Sequence, residues 1–537
     1  MKKRFVMMMF LLTVICVVGL TLLPVDAQAA KEIASGSCAK NENSRMTWVL
    51  TDDGVLTISG DGYMKEYNNA NMIPWAEYRD RITSVVIEDG VYTISRYAFS
   101  GCTNLTSVTF PDSVWQVGSS AFEGCTSLTE VNNFHTGDKL EGSVFENCTS
   151  LKSISLSKNI RYIHNDAFKG CTSLASIELP EELNRLFDGA FEGCTGLTSV
   201  MIPEKVDYIG ADTFKGCSNL VSIQLSDQIT KIHEGTFSSC TSLTSITIPG
   251  GVTLIGASAF ENCTSLSSVH IPDGVTKVGN SAFQSCTGLT SVTFGNGVTT
   301  IGQSAFWGCT ALDDINLPDS LTTIASRAFY NCKSLTTLII PDSVSSIDAR
   351  AFNLCSSLTS ITIPEQLTSI GEGAFNECNA LWHVLYKGDG PHWAVIQIQN
   401  NNKSLRSAIV HYRCTGAEVM DLENKVCAIC DCTHSWDVGE VTLQPTCLAE
   451  GSAVHTCVLC GVTEQRVLEK AGHTPGPEAT AREDQTCTVC GAILTPATGQ
   501  GGNKAPAGKL LVAALVALCL GGIACGIYIG NKRKAKA

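Results

Sequence analysis

The stretch that decides the fold reads Ala121-Phe122-Glu123-Gly124-Cys125-Thr126-Ser127-Leu128. The same phrase, Ala-Phe-x-x-Cys-x-x-Leu in most copies, returns at an interval of 23 residues. Self-similarity at one fixed period of this size is the sequence signature of a solenoid, in which each coil contacts its neighbours. We therefore predict a stack of coils, each marked by one phenylalanine, at positions 99, 122, 145, 168, 191, 214, 237, 260, 283, 306, 329, 352 and 375.

A single repeat shows how a coil is built. Apolar and polar residues alternate over residues 243–249 and predict a β-strand of about six residues that ends at a proline. Ile246 should face inward, whereas Ser245 and Thr247 should face outward. A second short extended piece follows, and Phe260 should return the chain to the core.

The repeat also resembles a known class. Its pattern, Leu-x-x-Ile/Val-x-Ile/Leu-Pro followed by Ile-Gly-x-x-Ala-Phe-x-x-Cys, resembles the BspA-like, or Treponema-type, leucine-rich repeats over about residues 80–385. The resemblance implies a β-rich leucine-rich-repeat solenoid, with one short parallel strand per 23-residue coil and little helix. Relatives of this class are described as adhesins. Residues 131–137 lack the apolar strand and the proline, so we expect a local irregularity there.

Composition divides the chain into eight segments. Because the first coil of a solenoid would expose an apolar end, caps are physically required. Alternating residues on both sides of Asp52-Asp53-Gly54 predict a strand–turn–strand unit in the first cap. We expect a signal peptide at 1–29, an N-terminal β cap at 30–91, leucine-rich repeats at 92–386, a C-terminal cap at 387–413, a Cys/His-rich module at 414–493, a sorting-like motif and linker at 494–509, a transmembrane segment at 510–529 and a basic cytoplasmic tail at 530–537.

Apolar segments at both ends are expected to form helices. Residues 1–29 combine a basic start, an apolar run and the small-x-small site Ala27-Gln28-Ala29, which is the pattern of a secretory signal. A retained membrane anchor is the alternative. Residues 510–529 carry no charge, are long enough to cross a bilayer, and precede a basic tail that would stay cytoplasmic. The bulk of the chain is therefore expected outside the cell.

A second resemblance lies just before that C-terminal apolar segment. Thr495-Pro496-Ala497-Thr498-Gly499 resembles the sorting signal of Gram-positive surface proteins, although the usual motif begins with leucine. The resemblance implies that a sortase cuts between Thr498 and Gly499 and joins the threonine to the cell wall. A plain single-pass membrane anchor is the alternative.

Charge and motif content exclude several classes of function. The chain has a net charge of −14, and many of its basic residues lie in the two terminal segments, so the remainder would repel phosphate backbones. We expect no nucleic-acid partner. The sequence has no Gly-x-Ser-x-Gly elbow, phosphate-binding loop or dinucleotide fingerprint, so we assign no catalytic residue and expect no enzyme.

The cysteines fall into two groups. Those of the repeats would lie within disulfide distance of each other, but side chains stacked in register point in parallel, so we predict buried free thiols. Occasional bridges in an oxidising compartment are the alternative. In the module, two Cys-x-x-Cys-Gly units 30 residues apart predict a possible structural zinc site or, alternatively, disulfides. The four candidate ligands are Cys457, Cys460, Cys487 and Cys490, and no other cofactor is required.

The outward strand positions form the candidate binding surface, expected on the concave face of the solenoid. They are rich in hydroxyl groups and poor in large aromatic residues, which suits weak multivalent contact better than one tight pocket. We expect adhesion to extracellular protein or glycan ligands, such as host matrix, glycoproteins or other cells; a structural spacer or surface-layer component is the alternative. The candidate residues are Ser222, Gln224, Ser245, Thr247, Ser268, His270, Ser291 and Thr293.

Overall fold

The computed structural model describes residues 30–412 and, further along the chain, residues 440–443, 450–456, 463–469, 485–486 and 493–495. The chain divides into two compact units, and residues 30–412 lie in the first of them. The predicted signal peptide, transmembrane segment and basic tail lie outside the described residues. Among the residues that are described, we find no helix with the length and apolar character needed to cross a membrane.

Antiparallel pairing opens the first unit, with strands Glu32–Ser37, Thr47–Thr51 and Val55–Ser59. The predicted strand–turn–strand unit is thus confirmed, and Gly54 makes its turn at a φ of 86°. A side chain at Gly54 would clash, because a Cβ there would lie 2.6 Å from the carbonyl oxygen of Arg81. The last strand pairs in parallel with Ser84–Ile87, which carries the pattern of the repeats. Two short 3-10 helices join these two strands, at Ala70–Met72 and Ala76–Arg81.

The coils contribute two rows of parallel strands, and partners within a row are one period apart, as in the pairing of Ser268 with Ser291. The prediction of a β-rich solenoid with parallel strands 23 residues apart is confirmed. The first row consists of the segments that precede the proline of each repeat: Ser84–Ile87, Ser107–Thr109, Glu130–Asn132, Ser199–Met201, Ser222–Gln224, Ser268–Ile271, Ser291–Phe294, Asp314–Asn316, Thr337–Ile339, Ser360–Ile363, His383–Tyr386 and Ile409–Tyr412.

Each strand of the second row follows the turn after the proline and is short. Its apolar second residue is buried in the core, as Ile255 shows. The row consists of Gly62–Tyr63, Val91–Ile94, Gln116–Val117, Lys139–Leu140, Tyr162–Ile163, Arg185–Leu186, Tyr208–Ile209, Lys231–Ile232, Leu254–Ile255, Lys277–Val278, Thr300–Ile301, Thr323–Ile324, Ser346–Ile347, Ser369–Ile370 and Gln397–Ile398.

A continuous stack of the repeat phenylalanines fills the core between the two rows. Every one of these rings is fully buried, and the centroids of successive rings are 5.1–5.8 Å apart. Trp75 extends the stack at its N-terminal end, 5.9 Å from Phe99, and its indole N–H donates to the carbonyl oxygen of Ala98 at 2.7 Å. The inward position predicted for Phe260 is confirmed.

Coils at residues 153–155, 176–178 and 245–247 have no first-row strand, which corrects the strand predicted for residues 243–249. The predicted alternation is nevertheless present, because Ile246 is buried while its two neighbours are exposed. The spacing of the rings explains the breaks: it exceeds the roughly 4.7–4.9 Å between hydrogen-bonded strands. The widest ring spacing, 5.8 Å between Phe214 and Phe237, coincides with the break before residue 245.

The irregularity predicted for residues 131–137 is present, although its form differs from the prediction. A strand does form at Glu130–Asn132 and pairs with the preceding coil. Asn133 then takes a left-handed conformation with a φ of 53°, which shifts the inward position by one residue. Phe134 occupies that position, fully within the core, and its ring lies 5.4 Å from that of Phe145.

Buried thiols link each coil to the one before it. In every coil from Cys125 to Cys378, the repeat cysteine donates from its Sγ to the carbonyl oxygen of the phenylalanine 26 residues earlier, at 3.0–3.3 Å. These cysteines are free and fully buried, so the prediction of unbridged thiols is confirmed.

Two positions in each coil adopt a left-handed backbone conformation. One lies two residues before the repeat phenylalanine and the other two residues after it, with φ between 51° and 75° throughout. Asp, Asn, Ser and Gly hold most of these positions, consistent with their tolerance of this region. Arg350 and Glu377 are among the exceptions.

Two short helices follow the last full repeat, at Gly390–Val395 and Lys403–Ser407. The Asp389 side chain caps the first of them by accepting a hydrogen bond from the backbone N–H of His392. The second unit contains an antiparallel sheet of Glu440–Leu443, Gly451–Thr456 and Thr463–Leu468, and an antiparallel pair of Gln485–Thr486 and Ile493–Thr495.

Candidate binding surface

The strand face is the surface formed by the outward side chains of the first row and of the segments that continue it. All eight predicted binding residues lie on this face, and all are exposed except Ser291, which is half-buried. They do not form one sheet. Ser222 and Gln224 pair with the preceding coil, Ser245 and Thr247 lie on an unpaired segment, and the other four lie on a three-stranded sheet.

Contacts among the eight residues are sparse. The one printed side-chain hydrogen bond between them joins His270 Nδ1 and Thr293 Oγ1, 2.9 Å apart on adjacent coils. Many threonine hydroxyls next to this face donate to backbone carbonyl oxygens one coil earlier, as Thr244 does to Val221 and Thr290 does to Ser267. These hydroxyls therefore stabilise the stack in addition to facing solvent.

Two adjoining depressions of about 890 and 670 Å³ open on the strand face at the first two coils that lack a strand. We call them together the acidic groove. Parts of three coils line it, at residues 153–159, 176–182 and 201–205, together with Gln224. Of the predicted residues, Gln224 alone lines this groove.

An apolar floor distinguishes the acidic groove from the rest of the strand face. Leu156 and Leu179 are only partly buried, whereas the equivalent Ile248 and Ile271 are fully buried. Met201, on the neighbouring strand, is 70% exposed, which is unusual for so large an apolar side chain. The missing first-row strands therefore coincide with apolar surface left open to solvent.

Carboxylates surround this floor. Glu178, Glu181, Glu182 and Glu204 line the groove and are exposed. Lys205 Nζ donates to Glu182 Oε1 at 2.6 Å and holds the pKa of that carboxyl below its usual range. No ion pair is found within the described residues for the remaining three glutamates.

These acids belong to a longer row that the sequence analysis missed. The residue after each repeat proline is often acidic, and all such acids are exposed: Asp112, Glu181, Glu204, Asp273, Asp319, Asp342 and Glu365, with Asp227 at the same position in a coil that has serine for proline. Glu181, Glu204 and Asp227 fall on three successive coils. The 23-residue period alone would have revealed this row.

Titratable groups outside the groove do not form a recognisable reaction centre in the described part of the chain. His383 Nδ1 and His411 Nε2 are 3.0 Å apart on adjacent strands, and burial lowers the pKa of His383. Tyr208 and His233 pack 4.9 Å apart beside the second row, where burial raises the pKa of the tyrosine and lowers that of the histidine. Across the described ranges, no group of three or more His, Cys, Asp or Glu side chains could hold a metal ion.

The other predicted sites lie outside the described residues. These are the candidate zinc ligands Cys457, Cys460, Cys487 and Cys490 and the sorting residues Thr498 and Gly499. Along the sequence, each Cys-x-x-Cys-Gly unit falls between two strands that pair antiparallel, which are Gly451–Thr456 with Thr463–Leu468 and Gln485–Thr486 with Ile493–Thr495.

Among solved structures, the chain is similar to a leucine-rich cell surface protein from Faecalibacterium prausnitzii, with 26% identity over 68% of this chain and 97% of that one, and a TM-score of 0.40. It is also similar to a leucine-rich repeat protein from Bacteroides ovatus, with 25% identity over 68% of this chain and 98% of that one, and a TM-score of 0.42. A search of curated proteins gave no match.

The repeats themselves identify the family. The BspA type leucine rich repeat region matches the chain as six copies, over residues 77–195, 163–290 and 276–389. These matches span more than half of the chain and cover the two strand rows, the phenylalanine stack and the acidic groove. The chain therefore belongs to the family of BspA type leucine-rich-repeat proteins.

Proposed function

We propose that the protein is a surface-anchored leucine-rich-repeat protein that mediates adhesion by binding extracellular protein or glycan ligands. Such ligands include host matrix proteins, glycoproteins and the surfaces of other cells. The Faecalibacterium prausnitzii protein that it resembles is named a cell surface protein. Export by residues 1–29 and attachment through the C-terminal segments would place the strand face outside the cell of a Gram-positive bacterium.

The strand face is the observation that carries this proposal. It presents equivalent side chains on successive coils about 5 Å apart. Binding energy at protein interfaces is concentrated in a few large residues, whereas most exposed strand positions here are small and hydroxylic. Weak contacts repeated along one surface and over many copies gain affinity by multivalency.

A structural spacer is the second candidate function. The threonine hydroxyls that bond to the neighbouring coil favour it, because part of the polar character of this surface serves the stack itself. A spacer would present the strand face to solvent without a dedicated ligand.

A multivalent capture assay separates the two. The full chain is coupled to beads and presented to immobilised matrix proteins, mucins and glycans. A matched chain carries lysine at Thr247, His270 and Thr293, all of which are exposed. Adhesion predicts capture that the three substitutions weaken. Capture by neither chain would favour the spacer, and equal capture by both would move the site elsewhere on the chain.

Anchoring has its own test. If a sortase acts between Thr498 and Gly499, replacing Thr498 by alanine should abolish linkage of the protein to wall fragments, as measured by mass spectrometry. An unchanged distribution between wall and membrane would support a plain single-pass anchor. We also propose structural zinc at the four module cysteines, which metal analysis of the purified chain before and after a chelator would test.

A further inference from the structure

The acidic groove is chemically unlike the rest of the strand face. Elsewhere the outward positions are mostly serine and threonine, but here an apolar floor meets a cluster of carboxylates. Lys158 and Lys205 are its basic residues, and Lys205 is already paired with Glu182. The groove therefore has an excess of negative charge, contributed by Glu178, Glu181 and Glu204.

Repetition sharpens this charge. Glu181 and Glu204 occupy the same position on adjacent coils, whose phenylalanine rings are 5.3 Å apart. Like charges at this separation repel one another, and a bound cation would relieve the repulsion. Asp227 continues the row on the next coil and extends the negative field beyond the groove.

The apolar floor specifies what must accompany the cation. Met201 is 70% exposed, and Leu156 and Leu179 are partly exposed at positions that are buried in other coils. Covering these side chains would remove apolar surface from water, which a small inorganic cation or a sugar hydroxyl could not do. A partner therefore needs aliphatic groups beside its positive charge.

The dimensions favour an extended chain. The groove crosses three coils, and a helix is about 10–12 Å wide with its side chains. An extended peptide rises about 3.3 Å per residue and alternates its side chains between two sides, so a few residues span the coils while apolar and basic side chains meet floor and rim in turn.

We propose that the acidic groove binds an extended peptide segment of a partner protein in which lysine or arginine side chains alternate with aliphatic ones. The inference rests on the proposed function, since it names one class of ligand for the strand face. Complementary charge would steer the segment to the groove, and the apolar floor would hold it there.

Peptide binding to the full chain tests this proposal. The probe is a fluorescent seven-residue peptide that alternates lysine and leucine, and its reference is the same peptide with glutamate in place of lysine. A third peptide that alternates lysine and serine isolates the contribution of the floor. We expect anisotropy to report binding of the lysine–leucine peptide, weaker binding of the lysine–serine peptide and none of the glutamate peptide.

Variants locate the site. Glu181→Lys combined with Glu204→Lys should weaken binding by about tenfold or more, because like charges would then face each other. Met201→Ser should weaken the lysine–leucine peptide by several-fold and leave the lysine–serine peptide unchanged. Asp273→Lys is the matched control, since it reverses an exposed acid at the same coil position outside the groove, and should leave affinity within about twofold.

Failure of this inference is distinguishable from failure of the proposed function. No binding of the lysine–leucine peptide, or an equal loss in the Asp273→Lys chain, would overturn the groove as the site. If the beads still captured a ligand in either case, the adhesive function would stand with a different contact. Unchanged circular dichroism of each variant would show that the fold persists.

Discussion

At the scale of single residues, the repeat cysteines have a role beyond filling space. The Sγ of Cys217 donates to the carbonyl oxygen of Phe191 at 3.2 Å, and the same carbonyl accepts the backbone N–H of Cys194. The thiol thereby ties the turn of one coil to the core of the preceding one. Its burial raises the pKa of Cys217 to about 12, which makes the thiolate, and hence oxidation or alkylation, unfavourable in the folded chain.

Alkaline pH should therefore destabilise the solenoid. The pKa of Cys217 is raised in the folded state, so its contribution is complete below the unfolded value of about 8.5 and is lost as the pH rises towards 12. Replacing Cys217 by alanine should remove up to about 1.4 kcal/mol per pH unit from the slope of stability between those limits. Urea unfolding at pH 8 and 10 measures this difference, and equal slopes for both chains would contradict it.

A core phenylalanine should matter far more than an exposed threonine. Phe260 is fully buried between Phe237 and Phe283, at centroid distances of 5.4 and 5.1 Å. Phe260→Ala would leave a cavity costing about 3–5 kcal/mol, and limited proteolysis should cut the chain near residue 260. Thr247→Ala, at an exposed position, is the control and should change stability by less than about 0.5 kcal/mol. Equal protease resistance of both variants would argue against the stack as the stabilising element.

At the scale of the coil, backbone conformation is as regular as the sequence. The position two residues after the phenylalanine is left-handed in every coil, whether it holds Gly193 or Glu377, because the turn into the cysteine requires it. An ordinary side chain in this conformation costs roughly 1–2 kcal/mol. The coil therefore imposes one conformation on residues that differ in their tolerance of it.

Substitutions at these two positions should act in opposite directions. Glu377→Gly should stabilise the chain by about 0.5–1 kcal/mol, because the left-handed strain exceeds the added backbone entropy of glycine. Gly193→Ala should destabilise it by about 1 kcal/mol; a Cβ there has its closest neighbour 3.8 Å away, so strain alone decides the sign. Urea midpoints of the two variants provide the measurement. Glu377→Ala keeps a Cβ and should stay near the parent, and shifts of the same sign for the first two would refute the argument.

Periodicity explains which of these features the sequence could predict. Whatever repeats every 23 residues could be predicted, including the buried phenylalanines, the free thiols and the inward face of each strand. The strand at residues 243–249 could not, because pairing depends on small differences in coil spacing that a shared pattern does not encode. The acidic groove depends on the same breaks, although its row of acids was visible at one fixed position of the repeat.

At the scale of the whole solenoid, stability should be a sum over neighbouring coils. Each phenylalanine packs between the rings one period before and after it, and each thiol reaches one coil back. No described contact in the stack requires a particular number of coils. Such nearest-neighbour coupling is typical of repeat proteins, whose stability is approximately additive in their units.

Removing one whole coil should therefore be tolerated, whereas removing part of one should not. Deletion of residues 253–275 joins Val252 to Thr276, keeps the 23-residue register and lets the ring of Phe283 stack on that of Phe237. We expect a folded chain that is less stable by about 1–3 kcal/mol, the average contribution of that many residues. Deletion of residues 253–264 removes Phe260 and Cys263 but leaves the rest of that coil out of register, so the stack should break there. Circular dichroism and thermal melting compare the two chains. A whole-coil deletion that unfolds as readily as the partial one would mean that the solenoid is a single indivisible unit and not a sum of coils.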